Sequence, residues 1–495
     1  MDRTYRQPKA GTPMDSLSNS EQKVSAPLSG FEPSAPTLLS RFGRWWGRKG
    51  DGNAKPDVVA DAKAHAKAVA LPARVLRRQR EQLRQCFDAR LTDSAANAAA
   101  QTWRAEYEAA GDDARQAMLG VLAEVAASGS AQAEDEAKDG NADKSASGPP
   151  QATSNARIRF FKRLAALHGQ EGASVCGLHF LIGLRADMLR WHKRVPGLRP
   201  LDDDLEALFS NWFDVGLLEL QPITWDSPAS LLEKLIRYEA VHEIASWADL
   251  RNRLDSDRRC YAFFHPRMPR EPLIFVEVAF VPEMAANVHA LLDEAAPLED
   301  LRRVKWAIFY SISNTQAGLR GVSFGNFLLK RVIEELQREF PKLKQFATLS
   351  PIPGFADWLR KRDGDAVAKV LGDKRLARWS ERHGTPPADG AGWLAALPAD
   401  SEDAMVRDIA LALAAHYLVR ERQQALPADP VARFHLGNGA CVERLNWAAD
   451  LSRKGRAQSC GMMVNYLYVP EALDDNLVRL GNGSPRMSRA VGKLL

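Results

Sequence analysis

Cysteine is scarce and scattered in this chain of 495 residues. Its five cysteines (Cys86, Cys176, Cys260, Cys441 and Cys460) form no CxxC pair and are odd in number, which argues against a disulfide framework and the usual structural zinc site and fits a reducing compartment. Long apolar runs are missing too. None approaches the roughly 18 residues that a membrane-spanning helix requires, because charged residues interrupt each stretch. A surplus of one charge is also lacking: Lys and Arg number 67 against 62 Asp and Glu, a net charge of +5. That balance is too mild and too mixed for nucleic acid to be the main partner. There is no HExxH, no GxSxG elbow and no clustered His and carboxylate set, so metal and catalytic-triad chemistry have no signature here. No repeat recurs at a fixed period.

What is present is the composition of a folded protein. Hydrophobic residues at 45% and charged residues at 26% match the globular average and exclude a wholly disordered, collagenous or coiled-coil chain. The length suits two or three domains. Residues 1–74 are rich in Ser, Pro, Gly, Lys and Ala, bury too little apolar area to offset their ordering entropy, and are expected to form a disordered lead. This lead has no apolar segment of a secretory signal. A mitochondrial presequence around Arg41, Arg44, Arg48 and Lys49 is opposed by Asp2, Asp15 and Glu21.

Residues 75–210 read as a helical domain. Leu83, Cys86, Phe87 and Leu91 are spaced for one helix face, and Met118, Leu119, Val121, Leu122 and Val125 for another. The stretch 128–153 has a loop composition and predicts a disordered insertion between helices. Helical periodicity resumes at Ile158–Leu167, through Phe180–Trp191, and again from Leu205 to Trp212.

The signal then changes. Leu273–Val281 and Trp306–Ile312 are β-branched and aromatic and predict strands; a glycine-bearing loop, a helix from Phe327 to Phe340 and a strand from Gln345 to Leu349 follow. Strand, loop, helix and strand in this order predict a βαβ unit with parallel strands. Met462–Val469 predicts a strand that closes the sheet. The resulting fold class is a mixture of α+β and α/β: an all-helical N-terminal bundle, then a mixed-sheet domain over 211–480 and a tail over 481–495.

Three places offer chemistry. The loop Ser313–Gly325 lies where a helix N-terminus leaves amides unpaired, and Gly318, Gly321 and Gly325 let a phosphate oxygen approach, with Arg320 adding a charge. These glycines match neither GxxxxGK[ST] nor GxGxxG, and loop glycines equally serve turns. Ser350 ends a strand at the edge where open α/β sheets bind ligands, and should stand beside that loop; taken alone it also reads as the start of a Pro-rich turn. His435, near an Asn-Gly turn signal, can exchange a proton near neutral pH or be an ordinary surface histidine. His242 is expected in a helix. Asn465 and Tyr466 are second-rank site candidates.

Several long motifs point further. WDSPASLLEKLIRYEAVHEI, RRCYAFFHPRMPREPLIFVEVAFV, FYSISNTQAGLRGVSFGNFLLKRVIEELQREFP, TLSPIPGF and FHLGNGACVERLNWAADLSRKGRAQSCGMMVNY, spread over 225–466, resemble the malonyl-CoA decarboxylase family. The resemblance implies a helical domain followed by a catalytic domain similar to the GNAT acetyltransferase fold, with a pyrophosphate loop ahead of a helix in the splayed centre of the sheet. Arg320, Gly321, Val322, Ser323, Phe324, Gly325 and Asn326 match that loop, except that Ser323 stands where the acetyltransferase pattern has its first Gly. The family's catalytic serine and histidine carry over to Ser350 and His435, which also take part in binding the malonyl group.

The implied reaction turns malonyl-CoA into acetyl-CoA and CO2 through an enolate. It needs no biotin, metal or pyridoxal cofactor, because the thioester is its own electron sink. A homo-oligomer, dimer or tetramer, without nucleic acid or membrane, is implied. The C-terminal Gly492-Lys493-Leu494-Leu495 lacks the Ser-Lys-Leu peroxisomal address, so the bacterial cytoplasm is expected, with the mitochondrion as the alternative. Two other functions compete: a CoA-dependent acyltransferase using the same loop, and a non-catalytic acyl-CoA-binding regulatory protein, which has no use for Ser350 and His435 together.

Overall fold

The computed structural model describes residues 72–88, 91–138, 149–166, 176–322 and 328–495. The expected lead as far as residue 71, the span 139–148 and the loop positions Ser323, Phe324, Gly325 and Asn326 lie outside the described residues. Among the described residues, the N-terminal region is built of the helices Ala73–Phe87, Asp93–Ala109, Asp112–Lys138, Pro149–Ala166, Gly177–Trp191 and Arg199–Trp212. Most of the periodic apolar positions face inward: Leu83, Cys86, Met118, Leu119, Leu122 and Val125 are buried, whereas Leu91 lies in the link between the first two helices and is exposed. Trp103 meets the edges of Phe160 and Phe180 with ring centroids 5.8 and 6.4 Å apart, a geometry that aromatic quadrupoles favour.

Helices enter the expected insertion at 128–153 from both sides. One helix continues to Lys138 and the next begins at Pro149. Ala, Glu and Lys in this stretch are good helix formers, and proline is tolerated in a helix's first turn, where its missing N–H has no intrahelical role. His242 is not helical either, but sits in the bend between helices Ala229–Tyr238 and Trp247–Arg253.

The sheet is assembled from β1 (Glu219–Ile223), β2 (Arg258–His265), β3 (Met268–Val281), β4 (Trp306–Asn314), β5 (Gln345–Thr348) and β6 (Ser350–Pro351), joined after a small hairpin of β7 (Arg422–Gln423) and β8 (Leu426–Pro427) by β9 (Cys441–Asn446) and β10 (Met463–Tyr468). Its order is β1-β2-β3-β4-β5-β10-β6, with β9 also paired to β10. β4 and β5 are parallel and the remaining pairings in the sheet are antiparallel. The parallel pair brackets helix Leu328–Glu339, as the βαβ pattern requires. β10 is internal rather than closing an edge. Among the described residues β1 pairs only with β2, and an edge strand of this kind tolerates Pro222.

β3 reads as an unbroken apolar run because both of its faces are covered. Val276, Val278 and Phe280 join the large core cluster that also includes Leu83, Trp103 and Leu181, while Phe275 and Ala279 belong to two smaller clusters. Helical region and sheet therefore share a continuous core. Residues 481–495 are packed rather than a loose tail: Met487 bridges to Val442, and Val491 on helix Arg489–Gly492 is buried.

Candidate active site

The site forms where the parallel strands part. β4 and β5 are paired from Trp306↔Gln345 to Phe309↔Thr348, and Leu349 N–H still donates to Phe309 O at 3.0 Å. The chain then leaves β4, and Ser350 and Pro351 pair instead with Val464 and Met463 of β10. β4 runs on to Asn314 still paired with β3 but without β5, five residues past Phe309, or about 17 Å at the usual rise of a strand. The strand therefore delivers the glycine loop about three residues, roughly 10 Å, past the level of Ser350.

Ser350 and His435 are brought together. Helix Pro430–Gly437 carries His435 in its last turn, and Nε2 lies 3.0 Å from Ser350 Oγ. Ser350 O–H donates to Thr348 Oγ1 at 2.8 Å, an acceptor that also receives Tyr466 N–H at 3.1 Å. With its proton so directed, Ser350 Oγ accepts from His435 Nε2–H. Nδ1 is left to accept from Tyr468 O–H at 2.9 Å. This network selects the Nε2–H tautomer, since neutral imidazole has one donor and one acceptor.

The pair is enclosed, with Ser350 5% and His435 3% exposed. Burial pushes the His435 pKa down to about 3, so the imidazole is neutral at pH 7. Tyr466 stacks on it with centroids 4.6 Å apart and planes 26° from parallel; the Tyr466 hydroxyl is buried and has no hydrogen-bond partner among the described residues. Strand alternation sends Asn465 to the other face. There its Nδ2 donates to Thr348 O at 2.7 Å and Ala285 O at 3.0 Å, while its Oδ1 accepts from Arg444 and Asn446. Asn465 staples strands and does not join the Ser350–His435 cluster.

Asp429 ties the two halves of the site together. One carboxylate oxygen caps the His435 helix by accepting from Val431 and Ala432 N–H, each at 2.9 Å. The other accepts from Gly354 N–H at 3.4 Å, in the turn after Ser350. Burial raises the Asp429 pKa to about 6, opposed by the Ala432, Gly354 and Val431 amides and the Tyr417 hydroxyl.

In the glycine loop, Arg320 is exposed and Val322 buried, and Gly321 has φ +84°, a left-handed conformation that suits glycine. Thr348, Tyr468 and Asp429 escaped the sequence reading. A period of two put Thr348 on the face of Ser350 and Tyr468 on that of Tyr466, and Asp429 ahead of Pro430 is a helix-start signal. Among the described residues, no group of three or more His, Cys, Asp or Glu gathers as a metal site.

Comparison with known proteins accounts for nearly three-quarters of the chain by family models. Residues 123–213 match the malonyl-CoA decarboxylase N-terminal domain and residues 216–495 the C-terminal domain. The mouse protein named malonyl-CoA decarboxylase, mitochondrial, is 38% identical over 337 residues, covering 64% of this chain and 68% of its own. Among solved structures, malonyl-CoA decarboxylase from Cupriavidus metallidurans is 77% identical with a TM-score of 0.75, covering 86% of this chain and 100% of that one. The enzyme from Rhodopseudomonas palustris is 38% identical with a TM-score of 0.69, covering 84% and 98%. With one family model spanning more than half of its length, the chain belongs to the malonyl-CoA decarboxylase family.

Proposed function

We propose that this protein is a carboxy-lyase that converts malonyl-CoA into acetyl-CoA and CO2, with Ser350 and His435 as its catalytic residues. The observation that carries the residue assignment is the 3.0 Å contact between Ser350 Oγ and His435 Nε2, at the point where two parallel strands separate.

The chemistry follows from what each group can donate. Ser350 O–H turns from Thr348 to the malonyl carboxylate and orients it. Loss of CO2 leaves the bonding electrons on the α-carbon as a thioester enolate, whose oxygen needs aimed donors in a water-poor site. We assign the unpartnered Tyr466 hydroxyl to that oxygen. His435 then delivers its Nε2 proton to the carbon while Nδ1 takes the proton of the Tyr468 hydroxyl that donates to it, so the ring stays neutral; Tyr468 is reprotonated from solvent, and one proton is taken up for each CO2 released. No cofactor enters this sequence.

Arg320, Gly321 and Val322, with Ser323, Phe324, Gly325 and Asn326, are the proposed seat of the CoA diphosphate. The pantetheine arm is about as long as four to five extended residues. β4 runs on about three residues, roughly 10 Å, past the level of Ser350 toward the loop.

The reading extends to assembly and location. A dimer or tetramer built through the helical region follows from the family resemblance, and a bacterial cytoplasm suits the five free thiols; the mitochondrial mouse relative makes that organelle the second choice. Among the described residues, no helix is long and apolar enough to cross a membrane.

The deciding experiment is incubation with malonyl-CoA and, separately, methylmalonyl-CoA, following CO2 and the product thioester. Stoichiometric CO2 and acetyl-CoA from malonyl-CoA are expected. Acetyl transfer to an amine without CO2 release, or binding without turnover, overturns the assignment in favour of an acyltransferase or a regulatory binder. Light scattering of the purified protein checks the assembly.

A further inference from the structure

We infer that Arg185, contributed by the helical region, is a positioning residue for the diphosphate-binding loop: it draws two loop carbonyls away from the ligand and so turns a loop amide toward it. This rests on the reading of the Arg320–Val322 stretch as the seat of the CoA diphosphate.

Arg185 lies on helix Gly177–Trp191 and is 1% exposed. Its Nη1 donates to Gly318 O and to Arg320 O, both at 2.8 Å. Its Nε donates to Asp202 at 2.7 Å and its Nη2 to Glu206, both carboxylates belonging to helix Arg199–Trp212. A guanidinium has donors only, in a rigid planar fork, so the two carbonyls it collects must face it.

Peptide planarity then fixes the neighbouring amide. In a trans peptide the C=O of one residue and the N–H of the next point in opposite directions. With Arg320 O held by Arg185, Gly321 N–H is aimed away from the helical region. That N–H has no hydrogen-bond partner among the described residues, and Gly321 is exposed. It is an oriented, solvent-facing donor next to Arg320. Gly321 takes φ +84°, and a Cβ there would come within 3.3 Å of Glu206 Oε2, so glycine suits the position on both counts.

The loop is also seated closely on the helical region. A Cβ on Gly318 would lie 1.9 Å from Ile182 O. Asp202 and Glu206 place two carboxylates behind a site meant for an anion, and Arg185 between them offsets that charge. Removing Arg185 releases the Arg320 carbonyl and leaves Glu206 free to repel a diphosphate.

The test uses the full chain with Arg185→Gln and Arg185→Lys, and calorimetric binding of two probes. CoA carries the diphosphate; pantetheine has the same arm without it. Arg185→Gln is expected to weaken CoA about tenfold or more while changing pantetheine less than about twofold, in line with the loss of charge-assisted hydrogen bonds. The KM for malonyl-CoA should rise in parallel with kcat nearly unchanged. Arg185→Lys keeps the charge but cannot fork across two carbonyls, so an intermediate loss of CoA is expected. That variant carries the test if the Gln variant does not fold. Wild-type CoA affinity in either variant, or an equal loss of CoA and pantetheine, overturns the inference. If the wild-type protein binds pantetheine as tightly as CoA, the diphosphate reading itself fails and takes the inference with it.

Discussion

Ser350 Oγ and His435 Nε2 meet at 3.0 Å across 85 residues of chain, and Asp429 links the segments that carry them. Its carboxylate caps the His435 helix and accepts the Gly354 amide from the turn that follows Ser350. The pair is thus held by backbone elements rather than by side-chain packing alone, which is how catalytic groups are kept within a few tenths of an ångström of a working geometry.

Removing either partner should therefore stop chemistry without releasing the ligand. His435→Ala is expected to lower the rate of CO2 release by roughly 10²- to 10⁴-fold, the range for a lost general acid, with CoA affinity within about twofold. Single-turnover CO2 release and calorimetry measure the two effects. Retained turnover removes His435 from the mechanism.

Tyr468→Phe deletes the hydroxyl that donates to His435 Nδ1 and leaves the ring in place. A histidine whose second nitrogen loses its partner loses its fixed tautomer and orientation. We expect kcat to fall by about tenfold or more, with KM and the unfolding midpoint little changed. An unaltered kcat shows that the tautomer is held by other contacts.

Acid should unfold the protein partly through His435. Its pKa is 6.5 when unfolded and about 3 in the folded site, so the folded state binds fewer protons between these values. The stability this contributes is fully present above pH 6.5 and is lost as pH falls toward 3, with a slope of up to about 1.4 kcal/mol per pH unit. Asp429 works in the opposite sense. Its pKa is raised from 3.8 to about 6, so its contribution is greatest below pH 3.8 and is lost as pH rises through 6. Urea titrations from pH 4 to 8 should show a shallower acid loss for His435→Gln than for wild type; parallel curves contradict the depressed pKa.

Gly354→Ala tests the link between the halves of the site. Gly354 has an ordinary φ of −93°, so alanine costs nothing in backbone strain, but its Cβ would lie 2.1 Å from the Tyr417 hydroxyl oxygen. Overpacking of this kind costs about 1–3 kcal/mol. Tyr417→Phe removes the clashing atom and should recover part of the loss when combined with Gly354→Ala, in both denaturation midpoint and kcat. Additive losses in the double variant argue against the clash.

The sequence was most legible where the physics is local. Periodic apolar spacing marked the helices around Leu83 and Met118 and the strands at Leu273–Val281 and Trp306–Ile312, since side-chain direction repeats with the backbone geometry of each element. It misled where composition and propensity disagree, as at 128–138, where a stretch with a loop's polarity also has a helix former's side chains. Motif resemblance supplied Ser350 and His435, and spacing alone left each of them with an ordinary reading.

By itself, then, the chain's order of residues determined most of the elements, the family and the two candidate catalytic side chains, because propensity, periodicity and motif are properties of neighbours along the chain. Folding in three dimensions decided what those residues do to one another. It stacked Tyr466 on His435 while turning Asn465 to the opposite face, brought Tyr468 to the far nitrogen of the ring, and set Arg185 behind the glycine loop. The neutral imidazole is likewise a product of burial. Hydrogen-bond partners and desolvation depend on which segments are packed together, and contacts spanning 85 or 135 residues exist only once the sheet and helices have closed around them.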